Sequence, residues 1–197
     1  MPASAPPDVR NTRSHPSALL LGLLLGGVLL LGGGCASRGR LDPRADGPPE
    51  ISRAALDAVP DAVPRNEPVI PATTRPYEAF GRRYEPMTSR APYRAVGVAS
   101  WYGRRYHGQK TASGELYDMY AMTAAHPILP IPSYARVTAT RSGRSVVVRI
   151  NDRGPFVNDR LIDLSYVAAH RLGLIETGTG EVQVEVILPG VLDRWFR

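Results

Sequence analysis

The stretch "VVVRINDRGPF", Val146 to Phe156, climbs through apolar residues and stops on an acid, a base, a glycine and a proline. Three valines and an isoleucine favour a buried strand. Gly154-Pro155 ends it, because proline brings no N–H to a ladder and the pair favours a turn. The strand delivers Asp152 to its lip, and the turn holds that carboxyl group at a set height. An aspartate at a strand end is common, so its meaning depends on what surrounds it.

Similar short runs lie on both sides. "VGVASWYG" (Val96–Gly103), "YAMTAAH" (Tyr120–His126, closed by Pro127) and "SYARVTAT" (Ser133–Thr140) read as strands. "RSGR" (Arg141–Arg144) supplies a hairpin turn into "SVVVRIN", and "EVQVEVIL" (Glu181–Leu188) alternates acid or amide with valine. "SYVAAHRLGL" (Ser165–Leu174) reads as a short helix capped by Ser165 and closed by Gly173. About six short strands and one or two short helices predict a mainly β fold, a small closed barrel that leaves no sheet edge open.

Side chains fill a barrel of this size, so chemistry belongs at its rim or in a surface groove. The candidates are Glu115 in "TASGELYD", His126 at the end of "TAAH", Asp152, and Asp163 in "LIDLS". Each has a structural alternative: a solvated loop, a strand terminator, a turn residue and a helix cap, in that order. Their joint occurrence in barrel connections favours a site. Trp101, Tyr102 and Tyr120 could stack on a sugar ring and, with Arg153, form the expected substrate-contacting set. Arg153 alternates with Asp152 along the strand and is expected to face away from it.

The rest of the chain reads differently. Its 197 residues carry a net charge of +6, and Lys110 is the one lysine among 24 basic residues. No basic stripe or basic-aromatic interleaving appears, which argues against nucleic acid as a partner. Arg10 and Arg13 precede the apolar run Ala18–Leu31, and Gly32, Gly33 and Gly34 follow it. The run is shorter than the roughly 20 residues that cross a bilayer, so residues 1–34 read as a secretion signal. Cys35, the sole cysteine, can form no internal disulfide. "LGGGC" resembles a lipoprotein signal-peptidase site, although Leu31 lies four residues before the cysteine rather than three. Cys35 would then be acylated, and Ala36 in place of Asp would route the protein to the outer membrane, facing the periplasm. Residues 35–95 are proline-rich with nearly balanced charge and read as a disordered tether, with a helical turn or two at Ser52–Val59. The expected folded domain spans residues 96–190, and residues 191–197 form a tail.

Taken together, "ASWYG", "HGQKTASGE", "MTAAHPILPIPSYARV", "VVVRINDRGPF", "RLIDLSYVAAHRLGL" and the last valine-rich strand resemble, in order and spacing, the rare lipoprotein A family. The resemblance covers about Val96 to Ile187. It implies a six-stranded double-psi β-barrel and lytic transglycosylase activity on peptidoglycan glycan strands, without cofactor or metal. The family would cut the MurNAc–GlcNAc β-1,4 bond and leave 1,6-anhydro-MurNAc ends, in wall remodelling or daughter-cell separation. Division-machinery proteins or other wall hydrolases are the implied protein partners. By motif, Asp152 takes the position of the family's essential aspartate, and His126 and Glu115 those of its other active-site residues. Asp163 stands where the related barrels of expansins and certain endoglucanases keep an aspartate. Many members end in a glycan-binding SPOR domain; this sequence ends at Arg197 without one, so septal targeting and a preference for peptide-free glycan are not implied.

In such a cleavage the muramoyl C6 hydroxyl attacks its own anomeric carbon, so one carboxyl group can serve as acid and then base. Asp152 is the expected acid, its pKa raised by partial burial and by a neighbouring carboxylate, Asp163 or Glu115, and His126 is expected to orient it. Three rival readings stand beside this one. The first is a non-catalytic, expansin-like glycan-binding module. The second is a zinc site from His107, Glu115, His126 and Asp152, whose spacings match no familiar metal motif. The third is an inert structural platform. His107 and His170 are read as structural.

Overall fold

A computed structural model describes residues 51–189. Eight strands follow in chain order: β1 (Tyr77–Ala79), β2 (Arg82–Tyr84), β3 (Arg94–Tyr102), β4 (Thr123–Ala125), β5 (Ser133–Ala139), β6 (Ser145–Asp152), β7 (Ile162–Ser165) and β8 (Gly180–Ile187). Two helices join them, α1 (Arg53–Asp57) and α2 (Tyr166–Leu172). Six strands close a barrel in the order β3-β7-β4-β6-β5-β8, and β1 and β2 form a separate hairpin. The pairs β3–β7 and β4–β6 are parallel and the other four barrel pairs are antiparallel.

Strand alternation explains the closure. Val182, Val184 and Val186 of β8 point inward while Glu181, Gln183 and Glu185 face out. Val137, Val148, Ile150, Ile162 and Leu164 meet them in the interior at essentially zero exposure. Alanines at 99, 124 and 135 fit where the interior is too narrow for larger side chains. Helix α2 follows β7 without a loop. The Ser165 hydroxyl accepts from the Ala168 N–H at one end, and Gly173 closes the other end in a left-handed conformation (φ 78°).

Two differences from the sequence expectations bear on the site. Strand β7 lies within "LIDLS", which strand alternation leaves among the barrel connections: four residues give alternation too little length to register, and the helix begins at once. The second concerns residues 51–95, expected as a disordered tether. They wrap the barrel. Helix α1 falls within the expected helical stretch, and Leu56 is buried in the core. Ile51, Val59, Ala62, Ile70, Met87 and Tyr93 pack against the core as well. The Ala62, Ile70 and Met87 N–H groups donate to the carbonyls of Val147, Ile131 and Ile128 at 2.8–3.0 Å. The apolar residues are spaced irregularly because the segment runs extended over a curved surface, so they carry neither a helical nor a strand period. Prolines suit such a path, needing no ladder partner for their nitrogen. The expected signal at 1–34, Cys35, residues 36–50 of the tether and the tail at 191–197 lie outside the described residues.

Candidate active site

Four barrel strands present a single row of residues to one face. Ser100 of β3 pairs with Asp163 of β7, Asp163 pairs with Ala125 of β4, and Ala125 pairs with Asp152 of β6. Strands lie about 4.8 Å apart, so the two aspartates flank Ala125 with backbones roughly 10 Å apart. A slip in register makes the row possible. Ala124 pairs with Ile150 but Ala125 pairs with Asp152, so Asn151 is skipped. An extra residue of this kind re-aims the side chain after it. Asp152 is thereby turned to the face that Asp163 occupies.

The row forms part of an open groove of about 370 Å³. Trp101, Tyr102, Tyr106, Phe80 and Phe156 supply aromatic walls, and Asp152, Asp163 and Arg160 supply charge. Trp101 is braced edge-on by Tyr166 (5.4 Å), and Tyr102 stacks on Tyr117 at 4.1 Å.

The aspartates differ in their partners. Oδ1 of Asp152 accepts the backbone N–H groups of Ala112 and Arg153, both at 2.8 Å. Burial raises its pKa, and those two N–H groups and the Arg153 charge offset this only in part. The shift has the expected direction. Its cause is burial, whereas the expected push from Asp163 or Glu115 does not contribute. Asp163 also has a raised pKa from burial, opposed by the Ser100 hydroxyl and by Arg160. Ser100 donates to its Oδ1, Arg160 donates to the Ser100 oxygen, and the guanidinium lies 3.4 Å from the carboxylate.

The other sequence candidates lie elsewhere. His126 is fully buried, and burial with the Arg153 charge pushes its pKa down to about 3, so it is neutral. Its Nδ1 accepts the N–H groups of Ile128 and Leu129 at 3.2 and 3.1 Å, which leaves the proton on Nε2, 3.3 Å from the Tyr93 hydroxyl. Among the described residues no hydrogen bond joins the ring to the Asp152 carboxylate. The link is by backbone, from the His126 N–H to the Asp152 carbonyl at 3.1 Å. Arg153 makes no hydrogen bond from its guanidinium to the Asp152 carboxylate among the described residues, although its charge acts on that group. Its guanidinium donates to the carbonyls of His126 (3.0 Å), Leu129 (2.6 Å) and Thr73 (2.8 Å) while also lining the groove. Glu115 lies outside the groove, accepting from Arg149 (2.7 Å) and Asn151 (3.1 Å). Burial pushes its pKa up, but those hydrogen bonds outweigh burial and leave it below the ordinary value. Tyr120 is also outside, its ring against His107 at 5.8 Å. His107 accepts the Met119 N–H, and His170 pairs with Asp57 at 2.9 Å. His107, Glu115, His126 and Asp152 do not converge: no three metal-ligating side chains cluster among the described residues.

Sequence reading missed Ser100, Tyr106, Arg160, Phe156 and Phe80. Arg160 carries a signal, since it lies three residues before Asp163. Phe80 carries none, being in the segment read as a tether.

An acid that burial keeps protonatable, an ion-paired carboxylate nearby and aromatic walls suit proton transfer on a sugar held flat in a groove. The comparisons agree in kind. A double-psi β-barrel family model described as "Lytic transglycolase" matches residues 94–184. A Pseudomonas aeruginosa protein named endolytic peptidoglycan transglycosylase RlpA is 48% identical over 197 residues, covering 92% of this chain and 56% of its own length. Proteins of that name from Neisseria meningitidis and Vibrio cholerae are 53% and 45% identical. They cover 66% and 81% of this chain and 54% and 60% of their own lengths. The chain thus spans little more than half the length of the curated relatives it matches.

Proposed function

The chain belongs to the rare lipoprotein A family, and from that premise we propose that it is a lytic transglycosylase that cuts the MurNAc–GlcNAc β-1,4 bond of peptidoglycan and leaves 1,6-anhydro-MurNAc ends. The observation that carries this reading is Asp152: a carboxyl group in an aromatic-walled groove, its pKa raised by burial. Among the described residues both hydrogen bonds to its carboxylate fall on Oδ1, which leaves Oδ2 to carry the proton in the proposed reaction.

In the proposed reaction Oδ2 gives its proton to the glycosidic oxygen as the bond from the anomeric carbon breaks, and GlcNAc leaves with a free O4 hydroxyl. The muramoyl C6 oxygen bonds to the same anomeric carbon, and its proton passes to Asp152, restoring the acid. Atoms balance without water. An intramolecular nucleophile removes much of the entropic barrier, and a positioned acid/base contributes about 10²–10⁴-fold. Asp163, beside Arg160 and Ser100, which oppose the effect of its burial, stands where its ionised form would stabilise positive charge developing on the sugar ring. His126 acts at one remove. Its ring holds the turn at 126–129, whose carbonyls hold Arg153 beside Asp152.

We place the protein in the cell envelope, anchored by a lipid on Cys35 in the outer membrane and facing the periplasm. The order of Arg10, Arg13, the apolar run Ala18–Leu31 and three glycines before Cys35 supports this. Labelled palmitate that enters the wild type but not Cys35→Ala is the expected result; equal labelling overturns the assignment.

The test of function is digestion of purified sacculi by the detergent-solubilised protein and by Asp152→Asn, with products identified by mass. Anhydro-ended fragments are expected from the wild type and none from the variant. Equal release from both discards Asp152 as the acid. Sacculus binding without product from the wild type favours the expansin-like reading.

A further inference from the structure

Phe80 stands where neither water nor the backbone favours it. It is 80% exposed at the tip of the β1–β2 hairpin. Phe80 (φ 50°) and Gly81 (φ 73°) are the two central residues of that turn. Two positive φ values in a two-residue hairpin loop describe the type I′ turn, whose first position is ordinarily Asn, Asp or Gly. A bulky side chain there is strained by its own Cβ, and an exposed ring forgoes burial. Folding explains neither choice. Strained, solvent-facing aromatic residues of this kind point to a ligand.

The hairpin is braced as a support would be. Phe80 leans on Phe156 with centroids 6.2 Å apart. Phe156 packs on Tyr77 and Tyr84 at 5.9 and 5.5 Å, and those two stack on each other at 5.1 Å. Arg82, next after the turn, pairs with Asp159 at 2.8 Å and ties the hairpin to the loop beyond Phe156. Phe80 lines the same groove as Asp152 and Asp163. It lies outside residues 94–184, the part that matches the family model.

We propose that Phe80 is a sugar-stacking platform at one end of the groove, a subsite for a pyranose ring of the glycan strand beyond the bond that is cut. The inference rests on the carbohydrate reading above and deepens it. The apolar C–H face of a sugar would cover the ring, removing the exposed surface that folding leaves, while Phe156 holds the platform from behind. The subsite adds affinity for long strands and contributes no chemistry.

The test separates this inference from that reading. In the full chain, Asp152→Asn keeps an acceptor oxygen for the Ala112 and Arg153 N–H groups and allows binding to be read without cleavage. The probe is an octasaccharide of alternating GlcNAc and MurNAc, measured calorimetrically against Asp152→Asn alone and combined with Phe80→Asn or Phe80→Trp. Asparagine suits the turn, so Phe80→Asn is expected to raise Tm by about 2 °C while weakening octasaccharide binding by about five- to tenfold. Phe80→Trp is expected to retain binding. Unchanged binding in Phe80→Asn overturns the platform and leaves the catalytic reading standing. Weaker binding with a lower Tm makes Phe80 a fold residue and also overturns it. No binding by Asp152→Asn itself removes the glycan groove and the platform together.

Discussion

Replacing Glu67 with glutamine tests whether the proline-rich segment is part of the fold. The Glu67 carboxylate meets Arg149 of β6 through two bonds, Nε to Oε1 at 3.0 Å and Nη2 to Oε2 at 2.8 Å, and accepts the Tyr134 hydroxyl as well. The Arg149 hydrogen bond is the main cause that brings its pKa down from 4.5 to about 2; burial opposes it, and Tyr134 adds to it. A lowered acid pKa stabilises the fold above the unfolded value of 4.5, and that stability is lost as pH falls through the folded value near 2. At 1.36 kcal/mol per unit the shift corresponds to about 3 kcal/mol. The side chain is 29% exposed, and solvent screening brings the expected contribution to about 1–2 kcal/mol at pH 7. Urea unfolding at pH 7, 5 and 3 measures it. Glu67→Gln should lower the unfolding free energy by that amount at pH 7 and 5, and by less than half of it at pH 3, where the wild type has already lost most of the advantage. Equal urea midpoints at pH 7 would mean that residue 67 hangs free of the barrel. A deficit that stays constant with pH would mean that the charged pair is not its source.

Asp152→Asn should unfold at higher urea than the wild type at pH 7. The raised pKa means that the charged carboxylate disfavours the folded state at neutral pH, so the gain should vanish below about pH 4, where wild-type Asp152 is protonated in both states. Initial cleavage rates of the wild type should fall as pH rises through the Asp152 pKa; a rate that climbs steadily into alkali contradicts Asp152 as the acid. Leu56→Ala should cost about 2–4 kcal/mol in thermal or urea unfolding, as for a core leucine; a loss below 0.5 kcal/mol would detach helix α1 from the core. His126→Gln should lower stability by about 1–3 kcal/mol through the two N–H groups it leaves without their acceptor. It should also slow cleavage per folded molecule far less than Asp152→Asn, and an equal loss would give the ring a direct role.

Sequence patterning reached the barrel because its strands alternate strongly. Ser133–Ala139, Ser145–Asp152 and Gly180–Ile187 each lie within a residue or two of where Val, Tyr and Thr spacing puts them. Pattern failed where its physical basis was absent. In the segment before Val96, burial comes at irregular intervals along an extended path, through apolar residues set between mostly exposed prolines whose frequency signals disorder elsewhere. The site was half legible. Asp152, Asp163, Trp101 and Tyr102 meet in one groove, as their motifs suggest. Glu115, His126 and Tyr120 do not enter it, although their motifs adjoin it in sequence. Glu115 is drawn off by Arg149, and nothing local to "TASGELYD" reveals that partner 34 residues away.

The skipped residue in β6 accounts for the form of the stretch at Val146–Phe156. Were Asn151 paired with Ala125, strict alternation would put Asp152 on the side of Ile150, inside the barrel, where a carboxyl group has no partner. With Asn151 set aside, its carbonyl accepts the Ser113 N–H and its amide reaches Glu115, so the loop at 111–115 closes onto the strand end. The same loop brings the Ala112 N–H to Oδ1 of Asp152. Gly154 then takes φ 120°, which side-chain-bearing residues rarely adopt, and the chain turns away before another side chain can cover the acid. The two aspartates thereby acquire different chemistry on one row. Burial raises the pKa of both, but Asp163 faces a guanidinium and a hydroxyl donor that oppose the rise. Among the described residues Asp152 has only backbone donors, both on one oxygen, so its other oxygen is left to take up and release a proton in the proposed reaction.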